Sequence, residues 1–448
     1  MRQVVSKSDL AQPERCLLDF GGVWVFNQIL KQTKFVDLIE NIIPKDQDNL
    51  KTLLAFTLIN PGESLSLLEP WYFDSYARIL YPRAKTDPEQ VGKFLRKMGE
   101  DSIWDTMLEL YLPHVSNYWS EHAQWKPNAL LYGGGIPEDL KMPFTAGNGE
   151  TLDKDKIRII TVVNRDDWYP LCYRHITGDI EDVSTVIEVL DEMAEQNIDV
   201  RTLILDTGFY SPDNLNYFYD LNVPFVMRID GKTEQFKQVV LRYGKDLRTT
   251  ENAVEYENGI LYVHKVTLPL EDERFVYAYV SLDIKKQAKE DTKTILKALR
   301  SPTMSRISEE ELRLHGKFIL ISSNNLTPSE AALFFGTRRH VEQIFKVFKG
   351  SSELLPTITH PNLNAKGALT LSFLASALNY TNNVLLEGSG YSAKEAFSIM
   401  NKLKIQIYDT KKLIQEPTIW QKEILNKLNI TIPYSIQKSA KGPYGYEY

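Results

Sequence analysis

Cysteine is nearly absent from this chain. Cys16 and Cys172 are the only two in 448 residues, far apart and in no CxxC pair. That excludes a disulfide framework and a cysteine-built zinc site, and it fits a reducing cytosol. Histidine offers no substitute: of seven, the nearest pair, His114 and His122, is eight residues apart, so a zinc mechanism is not expected. Long hydrophobic runs are missing as well. The longest apolar stretch, Ala368 to Leu378, is too short to span a bilayer and carries Thr370, Ser372 and Ser376. A buried core helix is expected there, and no membrane association. Met1 to Arg15 is polar, without the apolar segment of a signal peptide, so none is expected. Positive charge is also short. Lys plus Arg is 52 against 59 Asp plus Glu, a net charge of −7, which excludes a general basic coat for nucleic acid. Any DNA contact must then use local basic faces on an acidic body. What remains is an ordinary globular mixture, 25% charged and 43% hydrophobic, which excludes a disordered or low-complexity chain.

Residues 16 to about 125 read as helical. Val23 to Leu30, Phe35 to Ile43 and Leu50 to Leu58 carry apolar residues at three and four spacing, and Pro61-Gly62 breaks the run. A basic segment follows, with Arg78, Arg83, Lys85, Lys93, Arg96 and Lys97, and Asp87 to Met98 predicts a helix with Pro88 in its first turn. It is either a solvated helical face or a helix that neutralises phosphates. The texture changes near Asn128. Ala129 to Tyr132 is a short apolar run ending in three glycines. Ile157 to Val163 and Leu171 to Ile176 predict a hairpin, with Asp166 and Asp167 capping its turn. A helix from Asp182, a strand Thr202 to Leu205, a helix opened by Ser211-Pro212 and a strand Pro224 to Ile229 follow. That order predicts a mixed α/β sheet rather than a barrel. Residues 231 to about 325 interrupt it with an antiparallel pair, Ile260 to Val266 and Phe275 to Leu282. A lysine-rich helix, Lys285 to Leu299, comes next, then a strand at Phe318 to Ile321. The segment from Glu387 reads as helical and polar, with a frayed tail from Gln437.

Two acids stand out. Phe335, Arg338, Glu342, Phe345 and Lys349 fall at steps of three and four, so they form one stripe of a helix opened by Thr327-Pro328. Val341, Ile344 and Phe348 form an adjacent apolar stripe that can seat it on a sheet. By spacing alone, Arg338 and Glu342 could be an ordinary surface ion pair. Asp206 ends the strand Thr202 to Leu205, where ligands sit in open sheets, although a turn aspartate bonding nearby backbone has the same pattern.

Together these segments carry a resemblance. "LILDTGFYSPDNLNYFYDLNVPFVMRI" is similar to the second-aspartate block of the DDE transposases of bacterial insertion sequences. "FGTRRHVEQIFKVFKGSSELLP" resembles their third block, with the signature Tyr-x2-Arg-x3-Glu-x6-Lys. Its positions here are Phe335, Arg338, Glu342 and Lys349; only the tyrosine departs, keeping its ring and losing its hydroxyl. The resemblance covers about residues 15 to 400. It implies a ribonuclease-H-like mixed sheet, interrupted by a β-rich insertion and preceded by a helical N-terminal domain. The implied boundaries are 1–125 for the DNA-binding region, 126–230 and 326–400 for the core, 231–325 for the insertion and 401–448 for a helical end. It also implies Asp206 and Glu342 as ligands for two Mg²⁺ or Mn²⁺ ions, with Arg338, Lys346 and Lys349 on DNA. DNA cleavage and strand transfer at the element ends by a homodimer in the cytoplasm are the implied activity. The first acid is where the chain departs. Its position holds Tyr132, or Gly133 if the register moves by one, and neither can replace a carboxylate. Glu138 and Asp139 follow a few residues on. The alternative expectation is therefore a catalytically impaired, transposase-derived DNA-binding protein.

Overall fold

The computed structural model describes residues 15–123, 129–135, 158–176, 183–195, 198–256, 259–270, 274–300, 307–346, 361–408, 411–433 and 435–437. They divide into two units. One gathers the N-terminal and C-terminal elements, and the other holds the elements between them as far as Gln343.

The first unit opens with a short strand, β1 (Arg15–Asp19), followed by helices α1 (Gly21–Gln32), α2 (Phe35–Ile42), α3 (Gln47–Ile59), α4 (Leu68–Asp74), α5 (Ala77–Leu80), α6 (Pro88–Met98) and α7 (Asp101–Ala123). The helical periodicity is realised as burial. Val23, Phe26, Ile29 and Leu30 of α1 and Leu38, Ile39 and Ile42 of α2 face the core, while α3 is buried from Asn49 to Ile59. α6 begins where its sequence says it should: Asp87 accepts a hydrogen bond from the Gln90 N–H at 3.1 Å, with Pro88 in the first turn. Val91, Phe94, Leu95 and Met98 anchor it. Two of its lysines are engaged within the fold, Lys93 with Glu89 at 2.6 Å and Lys97 with Asp46 at 2.8 Å.

The second unit is built on one sheet of nine strands. Three strands come first, β2 (Ala129–Gly135), β3 (Arg158–Asn164) and β4 (Pro170–Ile176), followed by α8 (Val183–Glu195), β5 (Val200–Leu205), α9 (Pro212–Asp220) and β6 (Phe225–Arg228). This is the order the sequence predicts. Asp167 closes the β3–β4 turn, accepting from Tyr169 N–H at 2.9 Å and Asn164 Nδ2 at 2.8 Å. Then come α10 (Glu234–Tyr243), β7 (Ala253–Tyr256), β8 (Gly259–Pro269), β9 (Phe275–Asp283), α11 (Ile284–Arg300), α12 (Glu309–Leu314), β10 (Lys317–Ser322) and α13 (Pro328–Lys346). The sheet order is β4-β3-β2-β5-β6-β10-β9-β8-β7. β2, β5 and β6 run parallel, and every other neighbouring pair is antiparallel. The strands of residues 231 to 325 extend the same sheet, because β10 pairs directly with β6.

The first unit resumes with α14 (Pro361–Leu385), α15 (Ala393–Met400), β11 (Lys404–Tyr408), β12 (Lys411–Gln415), α16 (Ile419–Lys427) and β13 (Ser435–Gln437). Ala368 to Leu378 lies inside α14 and is buried throughout, as expected of a core helix. The C-terminal segment is not wholly helical, and residues 16 to 125 are not either. β1 pairs antiparallel with β11 in a four-stranded sheet, order β1-β11-β12-β13. Both strands are five residues long and meet across almost the whole chain, so no local periodicity announces them. The tail beyond Gln437 lies outside the described residues. Among the described residues, no helix is long and apolar enough to cross a membrane.

Candidate active-site cleft

Parallel strands end together, and their carboxyl ends form a cleft in the second unit. β2 contributes Tyr132, β5 leads to Asp206, and β6 ends in Arg228. These three line a cavity of about 270 Å³ with Ile204, Val226, Leu320, Tyr256, Phe334, Phe335 and Gly336 among its other walls. Asp206 is half-buried and begins a single 3₁₀ turn, Thr207–Phe209. Its Oδ1 accepts the Thr207 N–H at 2.8 Å, and its own N–H donates to the Gly133 carbonyl at 2.8 Å. Asp206 therefore bonds its own turn and also lines the cleft at the end of a strand.

The register of β2 decides which residue stands where a first acid would. Tyr132 is opposite Ile204 and Gly133 opposite Leu205 in the parallel ladder. Successive strand residues point to opposite faces, so only one of the two can share the face of Ile204 and Asp206. It is Tyr132, buried and on the cleft wall. A Cβ on Gly133 would instead point at the Phe209 ring, 2.9 Å away, and at Leu205 Cδ2, 3.1 Å away. Of the two positions expected for a first acid, 132 is therefore the one on the cleft wall, and it holds a phenol.

α13 forms the opposite wall. Val341 and Ile344 are buried, as the apolar stripe predicts. Phe335 stacks on Phe318 with ring centroids 4.1 Å apart and planes at 15°. Glu342 lies on the same helix and in the same unit as Asp206, about 9 Å along the axis from Gly336 at 1.5 Å per residue. The side chains of Arg338, Glu342 and Lys346 lie outside the described residues, as do Lys349, Glu138 and Asp139 altogether.

Two cleft residues escape the sequence reading. The Arg228 guanidinium packs over aromatic faces, 5.7 Å from the Phe318 centroid and 5.9 Å from that of Phe335. Its charge is felt nearby: burial first, and then Arg228, hold the Lys286 amine below its usual value. Arg228 was findable, since it ends the strand beside that of Asp206. Tyr256 was not, because it reaches the cleft from β7, the far edge of the sheet order, and carries no local motif.

No curated protein matches the chain. Among solved structures it is similar to a piggyBac transposase in a cryo-EM synaptic complex with hairpin DNA. The identity is 12% and the TM-score 0.38, over 90% of this chain and 76% of that one. The family model of the transposase DDE domain matches residues 139–376, just over half of the chain and including both Asp206 and Glu342. The chain belongs to the family of transposases that share the DDE domain.

Proposed function

We propose that the chain is a transposase of a bacterial insertion sequence, acting on the ends of its element as a homodimer in the cytoplasm. Cutting by the chain as written is disabled at the first acidic position. The observation that carries this reading is Tyr132 on the wall that Asp206 shares. The proposed core is ribonuclease-H-like, supported by three antiparallel strands followed by two parallel ones in the order β4-β3-β2-β5-β6. Within it, 231–325 is the insertion between the two core segments, 126–230 and 326–400. Residues 1–125 make the DNA-binding region and 401–448 the end.

The family generally uses divalent metal ions, and DNA cleavage and strand transfer with two Mg²⁺ or Mn²⁺ ions would need a carboxylate bridging both. Of the three acids expected to hold such a pair, Asp206 and Glu342 are present, and the position proposed for the first is a phenol. What this chain's own residues can do is bind. Arg228 and the aromatic walls accept a phosphodiester, while Asp206 and Glu342 remain as two acids of three. Arg338, Lys346 and Lys349 on the third block are proposed DNA contacts. The second reading, a DNA-holding protein that represses or regulates at the same ends, follows from the same vacancy.

The test is strand cleavage on duplexes carrying the inverted repeats that flank the coding region, with Mg²⁺ or Mn²⁺. The unmodified chain should bind and cut little, and Tyr132→Asp should gain metal affinity and nicking. Robust cleavage by the unmodified chain, abolished by Asp139→Asn, would make Asp139 the third ligand and end the proposal of a disabled site.

A further inference from the structure

The third-block signature begins with a tyrosine, and here that position is Phe335, which stacks face to face on Phe318. A phenol reaches the same cleft from another element. Tyr256, the last residue of β7, sets its ring 5.9 Å from that of Phe335. Its hydroxyl comes so close to the α13 backbone that a Cβ on Gly336 would lie 2.9 Å from Tyr256 Oη. Only a glycine leaves room for that approach, and Gly336 directly follows Phe335. Tyr256, Phe335, Gly336 and Asp206 all line the one cleft, with Arg228 among them. The insertion therefore does more than widen the sheet, because its first strand supplies a wall of the cleft.

We propose that Tyr256 is a substrate-contacting residue of this cleft, donating its phenolic O–H to a non-bridging oxygen of a DNA phosphodiester bound beside Asp206. The inference rests on the reading of the cleft as a DNA site. A phenol serves there because it donates without adding charge beside the Asp206 carboxylate. Hydrogen bonds to charged acceptors are the stronger ones, so the loss of this one is measurable.

The experiment measures affinity of the full chain for duplexes carrying the flanking inverted repeats. One set has normal phosphodiesters, and a second carries a neutral methylphosphonate at the element end. Tyr256→Phe keeps the ring and should weaken binding to the normal duplex about tenfold, the equivalent of one hydrogen bond to a charged group. On the methylphosphonate duplex the unmodified chain should fall to the level of Tyr256→Phe, and the variant should lose nothing more. Gly336→Ala, whose methyl would lie 2.9 Å from the Tyr256 hydroxyl and push it aside, should behave as Tyr256→Phe does. Melting temperatures identify any variant that loses binding by unfolding. Tyr256→Phe equal to the unmodified chain, or losing as much on the neutral duplex, overturns the proposal while leaving the DNA-site reading intact. No binding of any duplex by the unmodified chain overturns both.

Discussion

Side chains at 132 and 133 are adjacent in sequence and opposite in consequence. Alternation along β2 turns Tyr132 to the cleft and Gly133 to the side packed by Phe209. Tyr132→Asp replaces a buried ring by a small acid and should cost stability on the order of 3 kcal/mol, read as a fall in melting temperature. Divalent metal should return part of it, since a ligand that binds only the folded state stabilises it. Gly133→Asp should cost at least as much, because its Cβ starts 2.9 Å from a ring and its charge has no cleft to face. Metal should not rescue it, and rescue of 133 rather than 132 would overturn the register. At this scale the sequence was partly legible. Asp206 could be read from its place after an apolar strand, and position 132 from the run that ends in three glycines. The choice between 132 and 133 needed the pairing of Tyr132 with Ile204, a partner about 70 residues away that β2 itself does not specify.

Helices were legible wherever one face is apolar, and less so where the contact depends on backbone approach. α6 and α14 meet at two glycines. A Cβ on Gly367 would lie 1.8 Å from the Leu95 carbonyl oxygen, and one on Gly99 would lie 1.9 Å from that of Leu363. Glycine inside a helix normally costs stability, so Gly367 keeps its place for this crossing. Gly367→Ala should therefore destabilise the first unit by about 3 kcal/mol, in contrast to the usual gain from Gly→Ala in a helix, and thermal unfolding measures the sign. α7 contributes a pH dependence. His114 packs edge-on against Phe35, ring centroids 5.5 Å apart, and burial holds its imidazole below its usual value. The unfolded chain then binds the proton more readily than the folded one, so stability rises with pH through this window. Unfolding free energy should fall as pH drops from about 7 to 5, near and below the ordinary histidine value, and His114→Gln should flatten that slope. The strands β1 and β11 were not legible, since each is five residues whose partner is almost 400 residues distant.

Across the molecule, net charge and local charge point in different directions. The chain carries −7, yet α11 has no buried residue and presents Lys285, Lys289, Lys293, Lys297 and Arg300, all exposed, at steps of four and three. Its acids turn elsewhere: Glu290 accepts the Gly316 N–H at 2.6 Å, and Asp291 meets His315 Nδ1 at 2.7 Å. Among the described residues those five cations have no ion-pair partner, whereas Lys93 and Lys97 on α6 are each paired with an acid. The stripe from Lys285 to Lys297 is about 18 Å long, enough to follow several phosphates of a backbone. Both basic segments were legible in the sequence, and their ion pairs distinguish them. Binding should weaken steeply with salt, because phosphate neutralisation releases counterions. Reversing Lys289, Lys293 and Lys297 to Glu should lower the slope of log affinity against log salt by about 3, roughly one per lost phosphate contact. Reversing Lys93 should change it by less, because Glu89 already occupies that charge. A salt slope unmoved by the triple reversal would place the DNA path away from α11, and a salt-independent affinity would remove the phosphate backbone as the partner altogether.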